Sequence, residues 1–506
     1  MKELVRTRFV PCIWWLTWLL IWAAFVSIPS RVLGFRDWRL IAIGTFVLVI
    51  VMRVAEAPFL AQLARQSVEW LEPRRGKLVV LAAVIGLAIR LGWALALPTP
   101  PVSDGVEYQG LATRLAATGE YSSLVPTPGE PSSFTKWYVY RAPGYPMFLA
   151  ACFLVFGHGA WLPMAANLAL FLVTLYALYR LVATIAGYGC AVGAAWMLAL
   201  WPGGIAFTGL LAYEPLFLCL VIVSLRLAIA SRRGGLGTMA AAGLVAGMAV
   251  LVRPTAVAIC PLWFLYHLLT APDQRPRDGW WPAVRTAGLK TAAGVALMAA
   301  VVLPWTWRNY QHGFHVLVSA NGSTALHLVA NPRATVEYNE EMTVALRKEV
   351  GYDEHRYYEE ASNRAIAWIR DNPGKYLAMA VQRQVTLLGE DGDGWYWSLK
   401  VGAGLGDSKA YILFQAVGHI WWAGLWLLTA LGLVRGKALF LSTPALQVVA
   451  GAILAWWLPG LPFCQAARYH MVAAPLLMAL ASLSIYPVPK LEVIRRPGTE
   501  SVSKAA

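Results

Sequence analysis

The chain has 506 residues, 58% of them hydrophobic and only 14% charged, with 24 tryptophans. Apolar runs of about 17 to 24 residues recur along it, the length a helix needs to cross ~30 Å of hydrocarbon, which excludes a soluble globular protein. The formal charge of +15 would suit a nucleic-acid binder, but Lys and Arg sit in short clusters between apolar runs, as orientation signals do, so no nucleic-acid partner is expected.

The first run, 12 to 29, follows Lys2, Arg6 and Arg8 but is long, rich in Trp and without a small-x-small cleavage site, so it reads as an uncleaved anchor helix. About twelve spans are predicted in all: 12–29, 39–56, 77–97, 160–183, 186–201, 214–230, 236–252, 254–270, 288–306, 411–434, 438–458 and 470–486. A cytoplasmic amino terminus gathers Arg74/Arg75/Lys77, Arg180, Arg232/Arg233, Arg275/Arg277/Arg285, Arg435/Lys437 and Lys490/Arg495/Arg496 on one face, with Arg31/Arg36/Arg39 the misfit. Residues 1–76 then form an additional helix pair, and 77–306 a membrane core with a first outer loop over 98–159. A small helical extramembrane domain follows over 307–410, then further spans over 411–486 and a polar cytoplasmic tail over 487–506. Two apolar stretches, Tyr145 to Phe156 and Tyr376 to Leu388, are too short or too interrupted to span and are expected to lie in the interface. The class is therefore all-α and polytopic.

The six cysteines are scattered singly, with no C-x-x-C and no His at ligand spacing, so they read as small buried side chains. The polar segment from Pro98 to Pro146 is where chemistry is expected. Asp104, Glu107 and Tyr108 fall on one side of a helix, because spacings of three and four share a face. Asp104 is a candidate general base for an acceptor hydroxyl, or simply a helix cap together with Ser103. Arg141, Arg253, Arg308 and Arg468 each mark a helix end on the outer side, where few cations are expected. They either converge on an anion or snorkel separately to lipid headgroups. Arg90 stands inside an apolar run, free to join the anion site or to pair with Glu107. Glu214 begins a helix, where its charge favours the dipole. No G-x-x-x-x-G-K-[ST], no H-E-x-x-H and no D-x-D in either outer loop are read, so neither a nucleotide site nor a divalent-metal site is expected from the sequence.

The order Arg90, Asp104-x-x-x-Tyr108, Arg141-Ala142-Pro143-Gly144-Tyr145-Pro146, Glu214-Pro215, Arg253-Pro254, Pro304-Trp305-x-x-Arg308-Asn309, Asn331-Pro332-x-Ala334 and Arg468-Tyr469 resembles the bacterial GT-C glycosyltransferases. These are relatives of the protein O-mannosyltransferases and of the aminoarabinose transferase of lipid A. The resemblance covers about 77 to 486. It implies a GT-C fold in the bacterial inner membrane and a polyprenyl-phosphate-linked sugar donor. The hydroxyl acceptor would be a glycolipid, polysaccharide or protein, met at the outer face; no cofactor is evident, and arginines that stabilise the departing phosphate leave no divalent metal required. It implies Asp104 as the base and Arg141 as the first phosphate ligand, followed by Arg308 and Arg253; Arg468 and Arg90 are donor-site candidates from their positions in the chain alone. Glu107, Tyr108, Tyr145, Glu214, Asn309 and His470 would line the substrate pocket. Gly105 stands where relatives often carry a second acid. Two rival readings share the outer arginines: a flippase or transporter of lipid-linked sugars, and a non-catalytic subunit of envelope assembly.

Overall fold

The structure is a computed structural model that describes residues 5–33, 38–126, 134–159, 161–271, 281–336, 339–461, 463 and 467–486. Arg36, Arg275, Arg277, Lys490, Arg495, Arg496 and the whole tail 487–506 lie outside the described residues, as do the side chains of Arg31 and Arg39.

Among the described residues, six helices are long and apolar enough to cross a membrane: Val5–Ser30, Pro58–Ala96, Leu162–Ala186, Glu214–Val252, Trp281–Gln311 and Lys409–Arg435. A seventh is added if Tyr188–Ala199 and Pro202–Gly209, bent by 48°, form one span. The expected twelve are thus not reached as twelve full-length helices. Ile41–Ala55, Pro254–Thr270, Pro444–Leu458 and Ala474–Ile485 are apolar but short; in the last three, Pro254, Pro444 and Pro475 stand at the helix start, where the chain breaks.

Glu214–Val252 is two antiparallel arms rather than one rod. Gly235, at φ 74°, takes the left-handed turn between them. Ser224 Oγ donates to the Ala242 carbonyl at 3.0 Å across the arms, and Arg253, just past the far end, reaches Tyr213, just before the near end. The second arm lies against Trp281–Gln311 so closely that a Cβ on Gly243 would collide with the Gly294 carbonyl. Small residues permit such backbone approach between membrane helices.

Both apolar stretches left out of the span count are helices. Gly144–Phe156 has 13 residues, about 20 Å at 1.5 Å per residue and short of the hydrocarbon thickness. Pro373–Gly389 exposes Leu377 and Val381 on one face and buries Arg383 and Gln384 on the other. Arg383 Nη2 donates to the Val329 and Thr335 carbonyls at 3.1 and 3.0 Å, so protein rather than headgroups receives that charge.

The two loops expected on the outer face are not purely helical. Ser123–Pro126 and Phe134–Trp137 form an antiparallel two-stranded ribbon with Ser123 opposite Trp137. The second strand runs into the helical unit of Asn321–Val329, Glu341–Glu349 and Glu354–Asp371, where Trp137 and Val139 share a core with Phe314, Leu346, Tyr357 and Tyr358. Glu354 accepts from the backbone N–H groups of Tyr138 and Val139 at 2.5 and 2.9 Å, and Trp137 Nε1 donates to the Tyr352 carbonyl at 2.9 Å. The first loop is thereby fastened to the second, two residues upstream of Arg141.

Candidate active site

Asp104 is the first residue of the helix Asp104–Thr118. Ser103 before it is held at φ 48°, one of two non-glycine residues with positive φ among the described residues and outside the region serine prefers. Ser103 makes no side-chain capping bond, and the Asp104 carboxylate turns to cations. Oδ1 accepts from Arg141 Nη2 at 2.8 Å, and Oδ2 accepts from Arg468 Nη2 at 3.0 Å. Arg141 Nε donates in addition to Glu107 Oε2 at 2.7 Å. One helical turn, through its shared face, therefore presents two carboxylates to one guanidinium. Gly105 packs its backbone on the neighbouring segment, and a Cβ there would stand 2.8 Å from the Leu211 carbonyl oxygen. There is no room for a second acid at that position, and Glu107 supplies it one turn on.

Arg468 faces a further carboxylate. Glu214, 4% exposed, has no hydrogen-bond donor on either oxygen, and Arg468 Nε has no acceptor; the two stand 3.8 Å apart. Both line a cavity of about 30 Å³ together with Asp104, Tyr213 and Trp397, roughly one or two water volumes. Aromatic rings bracket the cations: Arg141 lies over Tyr140 at 4.7 Å and Tyr108 at 5.7 Å, and Arg468 over Tyr469 at 5.8 Å and Trp397 at 5.9 Å. Tyr145 meets Tyr108 edge to face at 5.3 Å. Arg253 stands one layer out, donating to Tyr213 Oη at 3.0 Å and stacking on Tyr469 at 4.3 Å.

The side chains at the centre are partly open, Asp104 at 21% exposure, Arg141 at 15% and Arg468 at 18%. Burial pushes the Asp104 carboxyl up, but Arg141 and Arg468 outweigh it and hold the group below the usual carboxylate range. Burial would weaken both guanidinium charges, yet the surrounding acids and tyrosines keep each firmly protonated.

Four of the sequence-derived candidates, Arg308, Asn309, Arg90 and His470, fall elsewhere. Arg308 donates to the backbone carbonyls of Tyr138 and Tyr121, each at 2.6 Å. Tyr121 Oη in turn donates to the Arg141 carbonyl at 3.1 Å, so Arg308 clips the loop that carries Arg141 and does not enter the cavity. Asn309 is fully buried and bonds the Val318 and Val316 carbonyls at 3.0 and 3.3 Å. Arg90 is used at the end of Tyr188–Ala199, donating to the Ala199 and Leu198 carbonyls at 2.7 and 3.0 Å with Phe171 under its guanidinium at 3.8 Å. It pairs with neither Glu107 nor the anion site. A helix end inside a membrane needs such donors. Arg90→Met is therefore expected to destabilise the fold by about 1–3 kcal/mol, measured as a lower thermal midpoint in detergent.

His470 is also withdrawn from the pocket, 1% exposed and stacked on Trp422 at 4.1 Å. Its Nε2 lies 3.1 Å from Asp391 Oδ1, and Asp391 Oδ2 accepts from Trp201 Nε1 at 2.7 Å. Two residues on, Asp393 Oδ2 accepts the backbone N–H of Arg468 at 2.6 Å. Asp391-Gly392-Asp393 thus straps the segment Ala467–Val472 from two sides and aims Arg468 at Asp104. The expectation that neither outer loop carries a D-x-D is incorrect: Asp391-Gly392-Asp393 is such a pair, and its spacing was the available signal. Among the described residues, no group of three or more His, Cys, Asp or Glu side chains could hold a metal ion.

No protein-family model and no curated protein sequence matches the chain. Solved structures do match. The Archaeoglobus fulgidus oligosaccharyltransferase tethered with an acceptor peptide aligns with TM-score 0.50 at 15% identity, over 82% of this chain and 50% of that one. AglB from Archaeoglobus fulgidus in complex with an inhibitory peptide and a dolichol-phosphate gives 0.46 at 13%, over 80% and 50%. ArnT from Cupriavidus metallidurans bound to undecaprenyl phosphate gives 0.39 at 15%, over 81% and 77%. The first likeness shows the fold alone: this chain shares the helical membrane architecture of the archaeal oligosaccharyltransferase. The chain spans about half the length of the archaeal enzyme.

Proposed function

We propose that this chain is a membrane glycosyltransferase that moves a sugar from a polyprenyl-phosphate carrier to a hydroxyl acceptor. The observation that carries the reading is Asp104 held between Arg141 and Arg468, two cations from distant parts of the chain at one carboxylate. In the reaction the acceptor oxygen bonds to the anomeric carbon, the bond from that carbon to the phosphate oxygen breaks, and the acceptor proton passes to Asp104. The sugar inverts and polyprenyl phosphate leaves.

Each group has a part in this scheme. A carboxylate offers about four lone-pair sites, of which the two guanidiniums occupy two, so Asp104 can still accept from a hydroxyl. Its low basicity makes proton transfer late, once bond formation has acidified the acceptor oxygen. Arg141 and Arg468, with Arg253 behind them, meet the charge that develops on the departing phosphate, and preorganised donors of this kind act only where the charge appears. Glu214 and the Arg468 Nε–H, an ion pair in which neither has a hydrogen-bond partner, suit a sugar hydroxyl that donates to one and accepts from the other. Guanidinium charge takes the place of a divalent ion in this scheme. This reading puts the chain in the bacterial inner membrane with both termini cytoplasmic and the site on the outer face, and the clustering of Lys and Arg in short loops of one face supports that orientation.

The test is release of polyprenyl phosphate from a polyprenyl-phosphate sugar by the reconstituted protein in EDTA, across pH. Asp104 has a depressed folded pKa, so its ionised form persists from the ordinary value near 4 upward and is lost only as pH falls below that. The expected profile is therefore flat from pH 5 to 8 with respect to this group. An acid limb near pH 6 that disappears in Asp104→Asn would contradict the assignment, and no release at any pH would contradict the function.

A further inference from the structure

The end of the bundle away from Asp104 holds a cavity of about 470 Å³ that the proposed transfer does not use. Arg232 lies 18 residues along its arm from Glu214, and Lys290 lies 18 residues before Arg308 in Trp281–Gln311. At 1.5 Å per residue both place the cavity about 27 Å from the Asp104 site, close to one hydrocarbon thickness. It therefore opens at the other membrane boundary.

Arg6, Arg232 and Lys290 line it with His267 and the hydroxyls of Thr286 and Ser442. The site is built rather than incidental. Lys290 Nζ donates to the Ser231 carbonyl at 3.0 Å, which ties it to the root of Arg232. His267 is buried with Nε2 at 3.2 Å from Ser231 Oγ. Val5 and Val10 are buried against Leu268, Leu269, Ala283 and Ala287, so the amino-terminal segment is docked there and holds Arg6 at the rim. Among the described residues no carboxylate lines the cavity, and none forms an ion pair with these three cations. Three like charges in one concavity with low-dielectric walls create a focused positive potential that an anion relieves. At a membrane boundary the abundant anions are phosphates.

We infer that this cavity binds a phosphate-bearing anion, either the headgroup of an anionic phospholipid or free phosphate, at a site separate from the transfer chemistry. The amino-terminal helix, which contributes nothing to the Asp104 pocket, contributes Arg6 to this one. The experiment is native mass spectrometry and thermal unfolding of the delipidated full chain with dioleoylphosphatidylglycerol, dioleoylphosphatidylcholine or inorganic phosphate. Phosphatidylglycerol should bind at least tenfold tighter than phosphatidylcholine to the wild type, and Arg232→Gln/Lys290→Gln should lose that preference. Arg6→Gln, an exposed substitution that leaves the fold intact, should weaken it several-fold and carries the test if the double variant does not fold. Arg233→Gln, a neighbour outside the cavity, should not change it. Protection by millimolar phosphate without a phosphatidylglycerol preference would assign the site to free phosphate. Equal binding of every probe by the wild type, the double variant and Arg6→Gln would overturn the inference, whether or not sugar transfer is found.

Discussion

Asp104→Asn is expected to turn over 10²- to 10⁴-fold more slowly than the wild type, the range that a positioned base contributes. The substitution is close to isosteric. Its amide oxygen can still accept from one guanidinium, while the amide N–H₂ faces the other, and it has no basic lone pair for the acceptor proton. The fold should survive, because Arg141 keeps Glu107 at 2.7 Å and Arg468 keeps its backbone bond to Asp393. Turnover measured alongside the thermal midpoint separates the two effects. A variant with wild-type turnover removes Asp104 from the chemistry, and a variant that merely unfolds shows a structural ion pair instead.

The second large effect is expected at Arg468. Removing one preorganised donor to a developing charge costs about 2.7–4 kcal/mol of barrier, a 10²- to 10³-fold loss of kcat. Arg468→Gln also leaves Glu214 buried without its counter-ion, and breaking a buried pair costs about 3–5 kcal/mol of stability; partial exposure of Arg468 at 18% places this case toward the lower end. The two losses are separable. Arg468→Gln/Glu214→Gln replaces the ion pair with two neutral amides, so the thermal midpoint should recover toward wild type while kcat stays low. Recovery of both would show that Arg468 acts only through the fold.

The parts of this site that were legible in the sequence are those whose local setting was unusual. Asp104 and Arg141 stood out because 98–146 is polar and acid-containing between apolar blocks. Arg468 and Arg253 stood out as cations at helix ends where the charge pattern predicts few. The same signal could not separate these from Arg308, because a guanidinium that meets a phosphate and one that clips the Tyr121 and Tyr138 carbonyls are identical in sequence. Arg90 illustrates the same limit, its acceptors lying 108 and 109 residues away. Asp391 and Asp393 were legible as a D-x-D that the sequence reading denied, but not as a strap, because His470 and the Arg468 backbone that they hold are 79 and 75 residues distant. The span count was legible only as apolar length. Whether a run becomes one straight helix, a hairpin about Gly235 or a short helix after a proline depends on packing against neighbours that hydropathy does not encode.

The most direct test of the account is the lipid-linked sugar pool of cells that lack this chain, complemented with wild-type or Asp104→Asn protein at equal abundance. Accumulation of a polyprenyl-phosphate sugar, cleared by the wild type and not by Asp104→Asn, is the predicted result. A pool that does not change without the chain, or that the Asp104→Asn protein clears as fast as the wild type, would contradict it.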